Sequence, residues 1–491
     1  MFFRVTLFLV LFGGIVIADD QRPNILFILG DNWSAPHVGA MGDKTVRTPV
    51  FDRLAKEGVL FENAFCPVPS CSPTRSCLLT GRPSHQLREG ANLWGSFPGE
   101  FTPFPDLLER VGYDVGFCSK GWSPGKYLEF GHARNPAGTD YNVARNTRQN
   151  MTRDEWQFAG FQNFLDQRDQ RKPFFFWLGL INPSRPTWQD EQGIDRGLDP
   201  ATVEVPPWLP DVPEVRMHLL DYYASVERLD DMAGEALRLL EEQGALKSTI
   251  VVYTGDNGWQ LPRGLANVYD GGSHVPLVVK LPDSHQNAPR GLRRQEFVSL
   301  TDLCPTFLEW AGATIRDNVT ATSIHPLLIS KEVDTTRDGV FLERERHANV
   351  REGDLGYPMR AIRTKRFLYI HNLKPERWPA GDPELWFAVG PYGDVDDSPT
   401  KQFLLKHRSD PEYSALFDLA FAKRPAEELY DLDQDPGQMR NVADLPEYAE
   451  TLGSLRKRVK DWQTATNDPR CDSANNSFDE YPYYGPRFQQ K

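Results

Sequence analysis

NILFILGDN, residues 24–32, is a short unbroken apolar run that ends in glycine and is followed at once by Asp31 and Asn32. An apolar run without alternation is typical of a strand that is buried on both faces inside a parallel sheet. Ligands of open α/β sheets bind beyond the carboxyl ends of the strands. The stretch therefore predicts a central parallel strand with two polar side chains at the end where sites form.

The same pattern continues along the chain. Further strands are predicted at residues 59–65, 172–181, 249–254 and 277–281. Helices are predicted from Pro49 to Gly58 and, from the spacing of apolar residues, from about Val215 to Glu242. Strands that alternate with helices indicate an α/β fold with a mostly parallel central sheet flanked by helices.

The sequence pattern changes near residue 336. Residues 360–370 (RAIRTKRFLYI) alternate like one antiparallel strand, and a helix is predicted near residues 448–463. We therefore expect a smaller α+β lobe at the C-terminal end. The predicted organisation is a signal peptide at 1–18, a main α/β domain at 19–335 and the α+β lobe at 336–491.

The N-terminus has the features of a secretory signal peptide. Arg4 precedes an apolar run over residues 5–17, and Ala18 provides a small residue for cleavage. A membrane anchor is the alternative, but this run is short for a span, and no later segment is long and apolar enough to be one. We expect cleavage near Ala18, export to the periplasm or the extracellular space, and a mature chain without a transmembrane segment.

Composition and charge narrow the class of function. The chain of 491 residues has a net charge of -13 and no basic run, which argues against a nucleic-acid partner. Its six cysteines are too few for a disulfide scaffold. A local cationic pocket for an anionic substrate remains compatible with this net charge.

Two Asp-Asn pairs stand directly after predicted strands. Asp31 and Asn32 follow one strand, and Asp256 and Asn257 follow another. Their oxygen atoms would meet at one edge of the sheet, where they suit calcium or magnesium better than zinc. Asp and Asn also begin turns without any ligand, so a metal site and ordinary turn chemistry remain alternatives on spacing alone.

The segment CSPTRSCLLTGR, residues 71–82, contains a cysteine in an unusual setting. Pro73 fixes the backbone, and Arg75 places a cation nearby. A helix predicted to start near Thr74 would direct its amide groups at an anion. Cys71 is therefore a candidate reactive group within an anion site. The alternative is a structural cysteine bridged to Cys66 or Cys77.

This segment resembles the signature of type I sulfatases, C-x-P-x-R followed by T-G-R, in Cys71-Ser-Pro-Thr-Arg75 and Leu79-Thr-Gly-Arg82. Further sulfatase-like segments follow the family's order across nearly the whole mature chain, among them TPVFDRLAKEGVLFENAF, GYDVGFCSKGW, YTGDNG and ELYDLDQDPGQMRNVA. GDLGYPMRAIRTKRFLYI and PRGLANVYDGG are most similar to bacterial sulfatases that resemble heparan N-sulfatase. The resemblance implies the fold of alkaline phosphatase.

The resemblance also implies a chemistry and a substrate. In this family a separate maturation enzyme oxidises the cysteine to formylglycine, whose hydrate attacks the sulfur of a sulfate ester or sulfamate, here expected on a sulfated polysaccharide. Arg75 would steady residue 71, and Lys120 would contact the sulfate. One calcium ion would be held by Asp31, Asn32, Asp256 and Asn257 together with the modified Cys71.

Four positions depart from the family pattern. Asn32 stands where the family has an Asp, and Leu265 stands where it has a Lys. Trp122 and Ser184 each stand where the family has a His. Either other groups substitute for the missing ones, or the chain is a sulfatase-fold protein that binds sulfated glycans with little turnover. A phosphatase of this fold is disfavoured, because the His-rich zinc set is absent. The candidates for substrate contact or substitution are His85, His274, Arg346 and His347.

Overall fold

The computed structural model describes residues 22–188, 190–285, 288–384, 390–472 and 474–486. The predicted signal peptide at 1–18 lies outside the described residues. Within these ranges, no helix combines the length and the apolar character that a membrane span requires.

The core of the molecule is an eight-stranded sheet with the order β4-β3-β5-β1-β6-β7-β2-β8. Strand β7 is antiparallel to both of its neighbours, and the other pairs are parallel. The mostly parallel sheet predicted from the sequence is thereby confirmed. Its strands are β1 (Asn24–Gly30), β2 (Val59–Phe65), β3 (Asp114–Ser119), β4 (Thr139–Asp140), β5 (Phe174–Leu180), β6 (Thr249–Gly255), β7 (Leu277–Lys280) and β8 (Leu292–Ser299).

Both faces of this sheet are covered, which explains why its strands read as unbroken apolar runs. In β1, Phe27 packs into the hydrophobic cluster on one face, and Leu26 and Ile28 pack into the cluster on the other. The α-helices of the described residues are α1 (Pro49–Glu57), α2 (Cys71–Thr80), α3 (Phe104–Arg110), α4 (Arg153–Gln167), α5 (Gln192–Asp195), α6 (Pro213–Glu242), α7 (Asp270–Ser273), α8 (Leu303–Trp310), α9 (His325–Ile329), α10 (Pro399–Lys406), α11 (Ser414–Phe421), α12 (Ala449–Ala465) and α13 (Ser477–Glu480).

A second, four-stranded antiparallel sheet lies in the C-terminal part, with the order β12-β11-β10-β9. The prediction of a single strand at 360–370 is wrong. Lys365 and Arg366 form a turn, and the residues on either side of it pair as a hairpin. Alternation continues across the turn, so periodicity alone cannot reveal the break. The strands are β9 (Gly339–Arg344), β10 (Met359–Thr364), β11 (Phe367–Asn372) and β12 (Glu427–Asp431).

The helix predicted to start near Thr74 begins three residues earlier, at Cys71. Residues 71–80 are all buried against the sheet and its neighbours. The packing of this whole segment, including Pro73 in the first turn, extends the helix to Cys71. The cysteine is therefore the first helical residue and not part of the preceding loop.

Close packing leaves no room for a side chain at Gly179 in β5. We expect Gly179→Ala to lower the free energy of unfolding by about 1–3 kcal/mol. A Cβ at this position would lie 1.9 Å from the carbonyl oxygen of Lys120. Urea titration measures the loss. Gly453→Ala in α12 is the control, because its Cβ meets nothing within 4 Å and alanine favours a helix. Equal stability of the Gly179→Ala and wild-type proteins contradicts the prediction.

Candidate active site

The strand register brings the two Asp-Asn pairs together. β1 and β6 are adjacent parallel strands, and Gly30 pairs with Gly255 at their carboxyl ends. Asp31 and Asp256 therefore leave the sheet side by side, and both are buried. The backbone N–H of Asn32 donates to Asp256 Oδ1 at 3.0 Å. The two loops thus place their oxygen atoms in one cluster.

Cys71 joins this cluster from the start of α2. Its Sγ lies 3.4 Å from Asp31 Oδ1 and 3.7 Å from Asn32 Oδ1. One potential ligand atom each of Cys71, Asp31 and Asp256 lies within 4.8 Å of the others. Burial and the charge of Asp31 raise the pKa of the Cys71 thiol well above its ordinary value, so the unmodified side chain is not a thiolate nucleophile. All six cysteines are free, so Cys71 is not bridged to a neighbour.

Arg75 is the buried cation that balances the two carboxyl groups. Its Nε donates to Asp256 Oδ2 at 2.9 Å, and one terminal nitrogen lies 3.4 Å from Asp31 Oδ1. The other terminal nitrogen donates to the carbonyl oxygens of Lys120 and Gly121 at 2.7 and 2.8 Å. One side chain thereby joins the loops that follow β1, β3 and β6 to helix α2.

Lys120 lies at the same edge because β3 ends at Ser119. Its Nζ donates to Asp31 Oδ1 at 2.6 Å. Burial opposes ionisation of Asp31, but the charges of Lys120 and Arg75 outweigh it and lower the pKa of Asp31. Burial and the charge of Asp31 raise the pKa of Asp256 to about 6. The cluster thus holds one firmly ionised carboxylate and one carboxyl group that a bound cation would ionise.

The donor set fits a hard divalent cation such as calcium. Asn257 Oδ1 is buried and accepts no hydrogen bond from any described residue, which is unfavourable unless a ligand uses it. Asn32 adopts a φ of 67°, which asparagine tolerates, and its Oδ1 accepts a hydrogen bond from Asn257 Nδ2 at 2.5 Å. The residues that could hold the ion are Asp31, Asn32, Asp256 and Asn257, with an oxygen at position 71.

Two predicted substrate-binding histidines have hydrogen bonds with groups outside this cluster. His85 Nδ1 lies 2.8 Å from Glu343 Oε2, and its Nε2 lies 2.9 Å from Thr466 Oγ1. His274 Nε2 lies 2.8 Å from the carbonyl oxygen of Glu62, and burial lowers the pKa of this histidine. Both rings therefore connect elements of the fold, and within the described part of the chain neither ring forms a hydrogen bond with the cluster around Cys71.

The two remaining candidates are neighbours in sequence but differ in surroundings. The guanidinium of Arg346 donates to backbone carbonyl oxygens of Asp354, Tyr481 and Pro482. His347 instead places its Nδ1 2.8 Å from Ser70 Oγ, directly before Cys71. Of the four candidates, His347 is the one that the structure ties to the segment of the reactive cysteine.

Two of the departures from the family pattern lie on segments that border the cluster. Ser184 follows β5 and donates through Oγ to Gln260 Oε1 at 3.1 Å. Leu265 is buried, and the N–H of the next residue, Ala266, donates to the carbonyl oxygen of Pro69 at 2.8 Å. Neither side chain offers a cation or a titratable proton, so the structure leaves both losses uncompensated at these positions.

Trp122, the third departure on this edge, has a structural role. Its side chain is fully buried and packs among the aromatic residues beneath α2. Its Nε1 donates to Ser76 Oγ at 2.8 Å. Trp122 therefore supports the helix that carries Cys71 and Arg75.

Sequence reasoning missed Ser70 and Asp394. Ser70 precedes the signature and could have been found as the residue before a helix. Asp394 accepts hydrogen bonds from Arg344 and Arg351, and its charge acts on His347. It lies in an irregular segment rich in Gly, Pro and Asp, where no local pattern distinguishes it.

Comparison with known proteins is informative at this point. The family described as Sulfatase matches residues 23–313, and the family described as N-sulphoglucosamine sulphohydrolase, C-terminal, matches residues 255–382. Human (Homo sapiens) N-sulphoglucosamine sulphohydrolase is 31% identical, over 91% of this chain and 91% of its own length. An ulvan-active sulfatase of Formosa agariphila is 25% identical, over 91% of this chain and 76% of its own length.

Solved structures share the fold. One, a complex with its substrate D-glucosamine-2-N,6-O-disulfate, superposes with a TM-score of 0.66 at 19% identity, covering 93% of this chain and 99% of that chain. Likenesses of this kind confirm the predicted alkaline-phosphatase-like architecture. At such identities they show the fold alone.

Proposed function

The chain belongs to the sulfatase family of sulfuric ester hydrolases, and on that premise we propose that it hydrolyses sulfate esters or sulfamates of a sulfated polysaccharide through formylglycine made from Cys71. The observation that carries the proposal is the cluster of Cys71, Asp31 and Asp256, whose ligand atoms lie within 4.8 Å of one another. Cys71 stands in an intact maturation signature, and Arg75 and Lys120 lie beside it.

Each residue of the cluster has a role in this proposal. Once oxidised, residue 71 would supply an aldehyde hydrate that attacks sulfur, and a calcium ion held by the cluster would supply positive charge that stabilises the charge developing on the sulfuryl group. Arg75 bonds both carboxyl groups and would steady residue 71, and Lys120, whose Nζ bonds Asp31, would contact the sulfate. The proposed ligands of the calcium ion are Asp31, Asn32, Asp256, Asn257 and the modified Cys71.

The proposed substrate class has support from the relatives. The human relative is named N-sulphoglucosamine sulphohydrolase, and the Formosa agariphila relative is named an ulvan-active sulfatase. Both names give a saccharide as the substrate. We extend that class to this chain, and a sugar carrying N- or O-sulfate is the expected substrate.

A second candidate function is the binding of sulfated glycans with little turnover. Ser184 and Leu265 favour it, because they lie on segments bonded to the loops around the cluster and offer neither a cation nor a titratable proton. Loss of one general acid reduces turnover by roughly a hundred- to ten-thousand-fold. Binding would survive this loss, since Arg75, Lys120 and the metal ligands remain in place.

One experiment separates the two functions. The protein is co-expressed with a formylglycine-generating enzyme, the peptide containing residue 71 is weighed, and sulfate release is measured on aryl sulfates and glycosaminoglycan oligosaccharides. An aldehyde with sulfate release supports the hydrolase. An aldehyde without release from any substrate leaves the binding function, and an unmodified thiol after competent co-expression overturns the hydrolase.

The proposal also covers export, the maturation partner and the two lobes. Cleavage near Ala18 would deliver the chain to the periplasm or the extracellular space after a maturation enzyme has acted on Cys71. Residues 19–335 would carry the metal cluster, and residues 336–491 would contribute His347 to the substrate pocket. N-terminal sequencing of the secreted protein tests the cleavage position.

We expect Asn32→Asp to tighten calcium binding by about tenfold, because it adds a negative charge to the ligand set. Aspartate tolerates the left-handed backbone at φ 67°, and its carboxylate can still accept from Asn257 Nδ2. Isothermal titration with calcium on the matured protein measures the change. Asn467→Asp is the control, since Asn467 is exposed and has φ 56°. Unchanged affinity in Asn32→Asp would place the cation elsewhere.

A further inference from the structure

His347 is held against the reactive segment by a single hydrogen bond. Its Nδ1 lies 2.8 Å from Ser70 Oγ, across a separation of 277 residues. Ser70 is buried, and among the described residues its hydroxyl has no other hydrogen-bond partner. Because a buried hydroxyl proton needs an acceptor, Ser70 donates to Nδ1. The proton of the neutral imidazole therefore lies on Nε2.

The Nε2 atom is not fully buried, and it has no hydrogen-bond partner among the described residues. His347 itself is 7% exposed, so this opening is narrow. A donor fixed through one nitrogen and open at the other is arranged to meet a ligand.

Burial is the main reason that the ring of His347 stays neutral. Burial lowers the pKa of His347 to about 4; the charge of Asp394 opposes this shift, and Arg344, Arg351 and Lys120 add to it. Lys120 also bonds Asp31, so the same cation acts on the histidine and on the cluster at Cys71. His347 is thus a neutral N–H donor whose ring is bonded to Ser70, the residue directly before Cys71.

We infer that His347 is a catalytic residue that donates from Nε2 to the leaving oxygen or nitrogen of the substrate. The inference rests on the proposed hydrolase function, whose usual proton donors are replaced here by Trp122 and Ser184. As the bond from sulfur to the sugar atom breaks, its electron pair stays on the sugar atom, which takes the Nε2 proton. The attacking hydroxyl of residue 71 loses a proton as it bonds to sulfur, and through water this proton restores the ring. A neutral histidine can act in this way as an electrophile.

The test compares two leaving groups. His347→Ala is expected to lower kcat for a sulfated glucosamine by about 10²–10⁴-fold, because an alkoxide or amide leaves poorly without a proton. For 4-nitrophenyl sulfate the loss is expected to stay below about tenfold, since that phenolate leaves unaided. His347→Gln keeps an N–H donor and should retain more activity on the sugar than His347→Ala.

Two further measurements distinguish a loss of catalysis from a loss of maturation or of folding. The mass of the residue-71 peptide must show the same aldehyde fraction in each variant, and thermal unfolding must show that each variant folds. His371→Ala, on β11 in the second sheet, is the matched control and should match wild type on both substrates. Equal losses on both substrates, or none on the sugar, overturn the inference. A matured wild-type protein that releases sulfate from neither substrate overturns the proposed function, and the inference with it.

Discussion

Replacing Cys71 with alanine is expected to lower kcat/KM for sulfate release by on the order of a millionfold, as removal of a nucleophile does in other hydrolases. The substitution removes the precursor of the aldehyde and one proposed metal ligand at once. The thiol that remains in unmatured protein cannot replace it, because burial and Asp31 raise the pKa of Cys71 well above its ordinary value. Sulfate release measured alongside the mass of the residue-71 peptide tests this result.

Cys77→Ala is the matched control for this variant. Cys77 lies on the same helix, is equally buried and belongs to the hydrophobic cluster rather than to the site. We expect it to lower stability by about 1 kcal/mol and to leave turnover within tenfold of wild type. Turnover within tenfold of wild type by Cys71→Ala, co-expressed with the maturation enzyme as the wild type is, would contradict the proposed chemistry at residue 71.

Replacing Arg75 with methionine is expected to lower the free energy of unfolding by about 3–5 kcal/mol at neutral pH, because it leaves buried charges without their partner. Asp31, Asp256 and two backbone carbonyl oxygens would lose a hydrogen bond or ion pair. Arg75 is 0% exposed, so solvent cannot take its place. Urea titration of wild type and variant measures the difference.

The effect of Arg75→Met should depend on pH with a definite sign. The charge of Arg75 lowers the pKa of both Asp31 and Asp256, so both pKa values are higher in the folded variant than in the folded wild type. An acid whose folded pKa is raised loses stability as pH rises, so the deficit of the variant should shrink between pH 7 and pH 5. Arg82→Met is the control, since Arg82 is only half-buried and bonds Gln86 at 3.1 Å. A deficit below about 1 kcal/mol at pH 7 would argue against the balancing role of Arg75.

Much of the fold could be predicted because its signals are local. The apolar run 24–30 predicted a buried parallel strand, and the structure confirms it as β1 with both faces covered. The prediction from residues 360–370 was wrong, because the alternation of apolar and polar residues continues through a two-residue turn. One long strand and a tight hairpin therefore show the same sequence pattern. The start of α2 was misplaced by three residues, because tertiary burial of the whole segment extends the helix to Cys71.

The sequence by itself determined the signature around Cys71, the two Asp-Asn pairs and the absence of His or Lys at Ser184 and Leu265. Each of these is a short motif whose residues are neighbours along the chain. Only the tertiary structure decided which histidine bonds the residue before Cys71, because His85, His274 and His347 are equivalent as sequence signals. Their partners lie hundreds of residues away, and it is chain packing that places Glu343 beside His85 but Ser70 beside His347.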